Sequence, residues 1–260
     1  MVTGQTFTPK FVRLDTIGST NTEALRLAQL GAPEGTCVLA REQTAGRGRQ
    51  DRSWSSVRDA GLYLSLVLRP RLPVEQWPVL TLMTAVAVQQ TLVEIFGLVT
   101  DIKWPNDIVI ADRKLAGILA ETIDGTDGRA AVIGIGVNLR REAVSLELQE
   151  IATSLESETE FAVDAGSATE RLAAEIVRAL AQCYETLQSS DGLKQIVDAW
   201  SARSSFAYGK AVAVRTGHES FTGITQGLTE FGALRVRIET GEVRTLHSAE
   251  LTALRPHHHQ

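Results

Sequence analysis

Residues 46–49 of this 260-residue chain read Gly-Arg-Gly-Arg, directly behind the apolar run TCVLARE at 36–42. No other feature constrains the fold as much. Two glycines in four positions end a helix, since each interior glycine costs about 1 kcal/mol relative to alanine. They weaken a strand for the same entropic reason. The run 36–42 is therefore predicted to be a buried strand that stops at the glycines, and 44–54 (TAGRGRQDRSW) to be a loop. Arg47, Arg49 and Arg52 place three like charges on this pliable backbone. Glycine lets backbone N–H groups approach a phosphate closely, and arginine supplies fixed charge. The residues alone leave two readings open: a solvated basic turn, or a loop that closes over an anion.

The rest of the chain supplies a scaffold for that loop. A strand is predicted over 10–17 (KFVRLDTI). Thr20-Asn21-Thr22-Glu23 matches a capping box, with Thr20 capping a helix and Glu23 reaching back. Ala24, Leu25, Leu27, Ala28 and Leu30 give this helix its apolar face, and Gly31 ends it. A strand over 62–70 stops at Pro70, and a long helix over 79–96 stops at Gly97. The runs 101–110 (DIKWPNDIVI), 113–122 and 129–139 read as apolar strands separated by turn residues. Helices are predicted over 168–188, with a capping box from Ser167 to Glu170, and over 192–201. From residue 208 the pattern changes to short alternating strands with glycine turns, an all-β unit of about 50 residues proportioned like a small barrel. The order of elements gives an α+β domain with a β barrel appended.

Composition narrows the choice of anion. Lys and Arg number 26 against 31 Asp and Glu, a net charge of −5. A sequence-independent nucleic-acid binder carries a basic excess, so no nucleic-acid partner is expected, and local positive charge suits a small anion. No run approaches the ~20 apolar residues of a membrane span, and the N-terminus lacks a signal-peptide pattern. Cys37 and Cys183 sit in apolar contexts and read as reduced thiols. A cytoplasmic location without a membrane partner is the expectation. The chain has no P-loop lysine motif, no zinc spacing and no nucleophile elbow. Residues 134–139 (GIGVNL) begin like a dinucleotide fingerprint but have Leu139 in place of the third glycine.

Four segments do rise above background, in this order: GRGR (46–49), KWPNDI (103–108), KLAGIL (114–119) and GIGVN (134–138). With this combination the chain resembles the biotin protein ligases, from Phe11 to Arg255. The resemblance implies an α+β fold, a mixed-sheet catalytic domain of the biotin/lipoate ligase type with a small C-terminal SH3-like β barrel. It divides the chain into a catalytic domain over 1–205, a barrel over 206–256 and a tail over 257–260.

The resemblance also assigns residues. Ser19, Thr20 and Asn21 would hold the ureido ring of biotin while serving as a helix cap, and Gln43 would border that pocket. Buried ureido groups need paired donors and acceptors, which small polar side chains provide. Arg47, Gly48 and Arg49 would order over a bound acyl-adenylate, with Gly46 and Arg49 on the nucleotide side. Lys114 would reach the biotin carboxylate and the α-phosphate, and Gly117 would let the backbone pass close to the ligand. Lys114, Arg47 and Arg49 are thus the expected catalytic residues. On the ATP side Lys103 would lie near the triphosphate with Asn106 beside it, and Trp54 is either a core aromatic or a wall for the adenine that forms when the loop closes. Ile135 and Asn138 of GIGVN would flank the adenine. Asp107 would meet either a Mg²⁺ ion or an incoming lysine amine. The chain departs from the family pattern at Asp51, where many members have glycine.

The implied reaction has two steps. Biotin and MgATP give biotinoyl-5′-AMP and pyrophosphate; a lysine of a biotin carboxyl carrier protein then displaces AMP. The carrier would be an acetyl-CoA carboxylase subunit or a similar biotin-dependent enzyme. Biotin, ATP and Mg²⁺ enter as substrates, no tightly bound cofactor is required, and a homodimer is left open. A lipoate–protein ligase would share this architecture. A biotin-sensing DNA-binding repressor would need a winged-helix domain ahead of the catalytic one, for which the 18 residues before Ser19 are too few. A monofunctional ligase is the expectation.

Overall fold

Period-two apolar runs become strands, and two helical faces close over them. The structure, a computed structural model, describes residues 7–159, 165–217 and 219–254. The tail predicted over 257–260 lies outside the described residues. In chain order the first elements are β1 (Lys10–Ile17), α1 (Thr20–Gln29), β2 (Thr36–Gln43), β3 (Gly61–Leu68) and α2 (Val79–Phe96). They are followed by β4 (Asp101–Lys103), β5 (Asp107–Ile110), β6 (Arg113–Gly125) and β7 (Gly128–Asn138). Helices α3 (Leu155–Glu158), α4 (Ala165–Leu187) and α5 (Gly192–Ser201) come next. The chain then runs through β8 (Tyr208–Arg215), β9 (Ser220–Leu228), β10 (Leu234–Arg237), β11 (Val243–Leu246) and β12 (Glu250–Ala253).

Strands β1 to β7 form one mixed sheet in the order β1-β2-β3-β7-β6-β5-β4. Strands β1 and β2 are parallel, joined through α1, and the other neighbours are antiparallel. Helix α1 packs on one face through Ala24 and Ala28, which meet Val38, Val67, Ala130 and Val132. Helix α2 covers the other face, with α4 and α5 packed against it. This explains why β3 is buried along its whole length. Helix α2 is long and apolar enough to cross a membrane by length and composition, but most of it is buried inside the protein. It is the core helix of the larger hydrophobic cluster.

Strands β8 to β12 form a second, antiparallel sheet in the order β11-β10-β9-β8-β12, the SH3-like unit expected from the sequence. It is tied to the first: Trp104 Nε1 donates to the carbonyl of Gly232 at 3.0 Å, and α5 packs on β9.

Three local expectations change. The run 101–110 is a hairpin, not one strand: β4 and β5 pair with Lys103 opposite Asp107, and the turn holds a cis Trp104–Pro105 peptide. Proline has no N–H for a continuing ladder, so the run breaks there. The N-cap of α1 is Ser19, whose hydroxyl accepts from the Thr22 N–H at a long 3.5 Å. Thr20 is drawn into other hydrogen bonds, and Glu23 pairs with Arg26 at 2.7 Å instead of reaching back. Helix α4 starts at Ala165, so the predicted start at 168 lies three residues inside it. Apolar periodicity marks the body of a helix better than its first turn.

Candidate functional site

A cleft of about 630 Å³ opens where the N-terminus of α1, the loop 44–54, the β4–β5 turn, the β6–β7 pair and strand β12 converge. One end is neutral. Ser19, Thr20 and Asn21 are buried, at 5%, 4% and 3% exposure. Gln43 Oε1 accepts from the Thr20 N–H at 2.8 Å and from the Thr20 hydroxyl at 3.0 Å. The Gln43 amide donates to Ser56 Oγ at 2.8 Å, and the Ser56 hydroxyl donates to the Trp54 carbonyl at 3.2 Å. Behind them, Ser65 Oγ lies 2.8 Å from Thr20 Oγ1 and 2.7 Å from Asn21 Oδ1. Its single proton serves one of the two at a time. Asn21 Nδ2 donates to Glu121 Oε2 at 2.8 Å. The side chains are locked by one another, and those of residues 19–21 face the cleft.

The other end is cationic. The loop folds as a small hairpin: Arg47 bridges to Ser53, the Gly48 N–H donates to the Arg52 carbonyl at 2.6 Å, and the Trp54 N–H donates to Gly46 at 2.9 Å. Its tip carries Gln50 and Asp51 at φ 54° and 58°. Aspartate is one of the non-glycine residues that tolerates this region, which accommodates Asp51 at the tip. The three like charges of the loop are accommodated because each arginine has its own partner. Arg47 Nη2 donates to Glu121 Oε2 at 2.5 Å. Arg49 donates to Asn106 Oδ1 at 3.1 Å and to Ser248 Oγ at 2.5 Å. Arg52 pairs with Glu250.

Arg49 is the most telling of the three. Burial lowers its pKa from the usual arginine value; nearby Arg52 adds to that effect and Asp107 opposes it. Its two hydrogen-bond partners, Asn106 and Ser248, are both neutral. A desolvated cation with neutral partners creates a strong local preference for an anion.

Lys114 stands beside it. Its ammonium pairs with Asp107 Oδ1 at 2.6 Å and sits 5.2 Å from the centre of the Trp54 ring. Its backbone is strapped on both sides, with its N–H donating to Ile151 at 2.8 Å and its carbonyl accepting from Thr153 at 2.9 Å. Gly117 and Gly136 face each other across β6 and β7. A Cβ on Gly117 would lie 2.9 Å from Trp54 Cζ3, and one on Gly136 would lie 2.5 Å from Trp54 Cε2. The two glycines thus form a shelf on which the indole rests. Trp54 Nε1 is buried there without a partner among the described residues. Lys103, at the end of β4, opens onto the same cleft, with its ammonium 6.0 Å from the Phe206 ring centre, and Ile135 adds to the wall from β7.

Two predicted site residues stand behind the wall. Gly46 packs where a Cβ would meet the Trp54 carbonyl at 2.5 Å, so its absence of a side chain serves the loop hairpin. Asn138 does not line the cleft; its amide donates to the Thr153 carbonyl at 2.9 Å and reaches the Lys114 carbonyl at 3.5 Å. It holds the backbone under Lys114 because β7 ends against the segment that straps β6. Among the described residues, no three of His, Cys, Asp and Glu cluster as a protein-built metal cage.

Sequence reasoning missed Ser65, Glu121, Ser248 and Glu250. Ser65 had a signal, being a lone polar residue inside the apolar run LYLSLVL. The others had none, since their partners are distant in sequence.

Residues 14–138 match the biotin/lipoate A/B protein ligase family, and residues 208–251 match the biotin protein ligase C-terminal domain. The chain is similar to the bifunctional ligase/repressor BirA of Bacillus subtilis, 37% identical over 91% of this chain and 72% of that one. It is also similar to the biotin–[acetyl-CoA-carboxylase] ligase of Paracoccus denitrificans, 37% identical over 86% of this chain and 92% of that one. Among solved structures, it is similar to the biotin protein ligase from Aquifex aeolicus in complex with biotin and ATP. There the TM-score is 0.79 and the identity 26%, over 96% of this chain and 100% of that one.

Proposed function

This chain belongs to the biotin/lipoate A/B protein ligase family, and from that premise we infer that it is an ATP-dependent biotin–protein ligase. It activates biotin as biotinoyl-5′-AMP and transfers it to a lysine of a biotin carboxyl carrier protein. The observation that carries the reading is the polarity of the cleft: a hydrogen-bonded corner of uncharged side chains at α1, and at the other end the partly buried Arg49 guanidinium and the Lys114 ammonium beside Asp107. Biotin has that polarity, with an uncharged ureido ring at one end and a carboxylate at the other.

The corner of Ser19, Thr20, Asn21 and Gln43 pairs the ureido donors and acceptors, which cost about 1–3 kcal/mol each when buried unpaired. This directs the carboxylate toward Lys114. MgATP would bring its α-phosphate to the same place, the Mg²⁺ entering as part of the substrate to offset phosphate charge. Lys103 faces the outgoing phosphates, and Arg47, Gly48 and Arg49 close over the anion. A carboxylate oxygen attacks the α-phosphorus, and the bond to pyrophosphate breaks. Lys114 and Arg49 offset the charge that builds at the centre, a contribution of about 2.7–4 kcal/mol per well-placed donor.

In the second step the neutral amine of the carrier lysine attacks the acyl carbon and AMP departs. Asp107, already beside Lys114, is the carboxylate placed to accept the amine proton. That pairing with Lys114 supports this role over metal ligation. The net charge of −5 favours a protein partner over a nucleic acid. No covalent enzyme intermediate is needed; positioning and charge carry the catalysis.

The test is mass spectrometry of a carrier domain after incubation with the protein, biotin and MgATP, with lipoate in a parallel reaction. One biotin per carrier with no lipoylation is expected. Equal turnover of lipoate would overturn the assignment, because a dithiolane leaves the neutral corner unpaired.

A further inference from the structure

The second sheet contributes directly to the cleft. Strand β12 and the residues just before it form one wall, and two of the three loop arginines are held by that sheet. Arg49 donates to Ser248, and Arg52 pairs with Glu250. Glu250 stands opposite Arg215 in the β12–β8 register and pairs with it as well. Its side chain is 26% exposed, against 60% for Arg52, so the carboxylate is the more buried partner of the pair.

We propose that Glu250 is a positioning residue: it docks the loop 44–54 on the C-terminal sheet and thereby sets how long the acyl-adenylate is retained. The inference rests on the adenylate-forming reading above. Its physical basis is charge arithmetic at a seam. Arg49 and Arg52 lie close enough to repel, and Glu250 is the anion that neutralises Arg52. Removing that charge leaves Arg52 and Arg215 facing each other across a neutral side chain, which pushes the loop away from its seat. Loop opening then exposes the anhydride and frees the intermediate. In this way the C-terminal sheet controls escape without touching the reacting atoms.

Glu250→Gln tests this at two levels. In the unliganded protein, hydrogen exchange of the 46–54 amides should accelerate at least tenfold while the β8 and β9 amides keep their protection. In the presence of biotin and MgATP, the rate at which biotinoyl-AMP leaves the protein should rise at least tenfold, seen as adenylate in solution and biotin on a bystander protein. Arg52→Gln should reproduce both effects, and the double variant should be no worse than either single one, because both remove the same contact. Additive losses in the double variant, or loop exchange unchanged in both single variants, would overturn the inference. If Glu250→Gln disrupts the sheet, seen as lost β8 and β9 protection, Arg52→Gln alone decides, since Arg52 lies on the exposed loop. The exchange measurement needs no ligand. A parent protein that makes no adenylate therefore overturns the ligase reading, whereas an active parent with an unmoved loop overturns the docking role.

Discussion

The corner at the N-terminus of α1 and the loop over 44–54 face the same cleft, yet they are made in opposite ways. In the corner, Ser19, Thr20 and Asn21 are buried; Thr20 donates to Gln43, and Ser65 serves Thr20 and Asn21, all uncharged partners. In the loop, Arg47 and Arg52 are largely exposed and held by ion pairs, on a tip with left-handed backbone at Gln50 and Asp51. Neutral buried networks are short-ranged and insensitive to salt, whereas partly exposed ion pairs are screened by it. The corner is suited to recognise a ligand that is always the same. The loop is suited to open and shut around one whose charge changes through the reaction. Glu121 links the two, accepting from Asn21 on one side and Arg47 on the other.

The strongest way to break this division is at the cationic end. Lys114→Ala should slow adenylate formation by roughly 100- to 1,000-fold, the effect of losing one charged donor at a developing oxyanion. The fold should survive because the backbone bonds to Ile151 and Thr153 do not involve the side chain. Single-turnover pyrophosphate release measures this, and a parental rate would remove Lys114 from the chemistry. Arg49→Gly comes next. Losing charge-assisted bonds of about 1.5–3 kcal/mol should raise adenylate escape by roughly ten- to a hundredfold. Biotin appearing on a bystander protein reports it, and retention equal to the parent would reduce the loop to a basic turn.

Ser65→Ala sharpens the contrast from the neutral side. It leaves Thr20 and Asn21 short of a buried partner and should weaken biotin binding by roughly tenfold, about 1.4 kcal/mol. Adenylate escape should keep its dependence on salt, since the ion pairs are untouched. A changed salt dependence in this variant would mean that the two ends are not independent. The smallest effect is expected from Asp51→Gly. Glycine accepts the left-handed backbone freely but adds chain entropy, so the two effects nearly cancel, and loop exchange should shift by less than about threefold. A larger acceleration would show that Asp51 holds the loop through its side chain.

Much of this was legible from neighbouring residues alone. The strand 10–17 and the helices 79–96 and 192–201 fall where their apolar periodicity put them. The glycines at 46 and 48 do end β2, which stops at Gln43 before the loop begins. Backbone preference and apolar spacing depend on residues a few positions away, so a sequence carries them directly.

Other features came from the tertiary structure. Proline at 105 marked a restraint, but only the pairing of Lys103 with Asp107 turned 101–110 into a hairpin. Ser19, not Thr20, caps α1 because Gln43 and Ser65 claim the Thr20 hydroxyl. Asn138 looked like a ligand anchor and serves instead as a brace beneath Lys114, because β7 ends against the segment 151–153. The contacts that define the site join residues 44, 100 and 199 positions apart: Ser65 with Asn21, Asn21 with Glu121, and Arg49 with Ser248. Such pairs depend on the order of strands in the sheet and on where the second sheet docks. Those are decided by how whole apolar faces pack together, and no local pattern encodes which distant polar groups that packing will bring within reach.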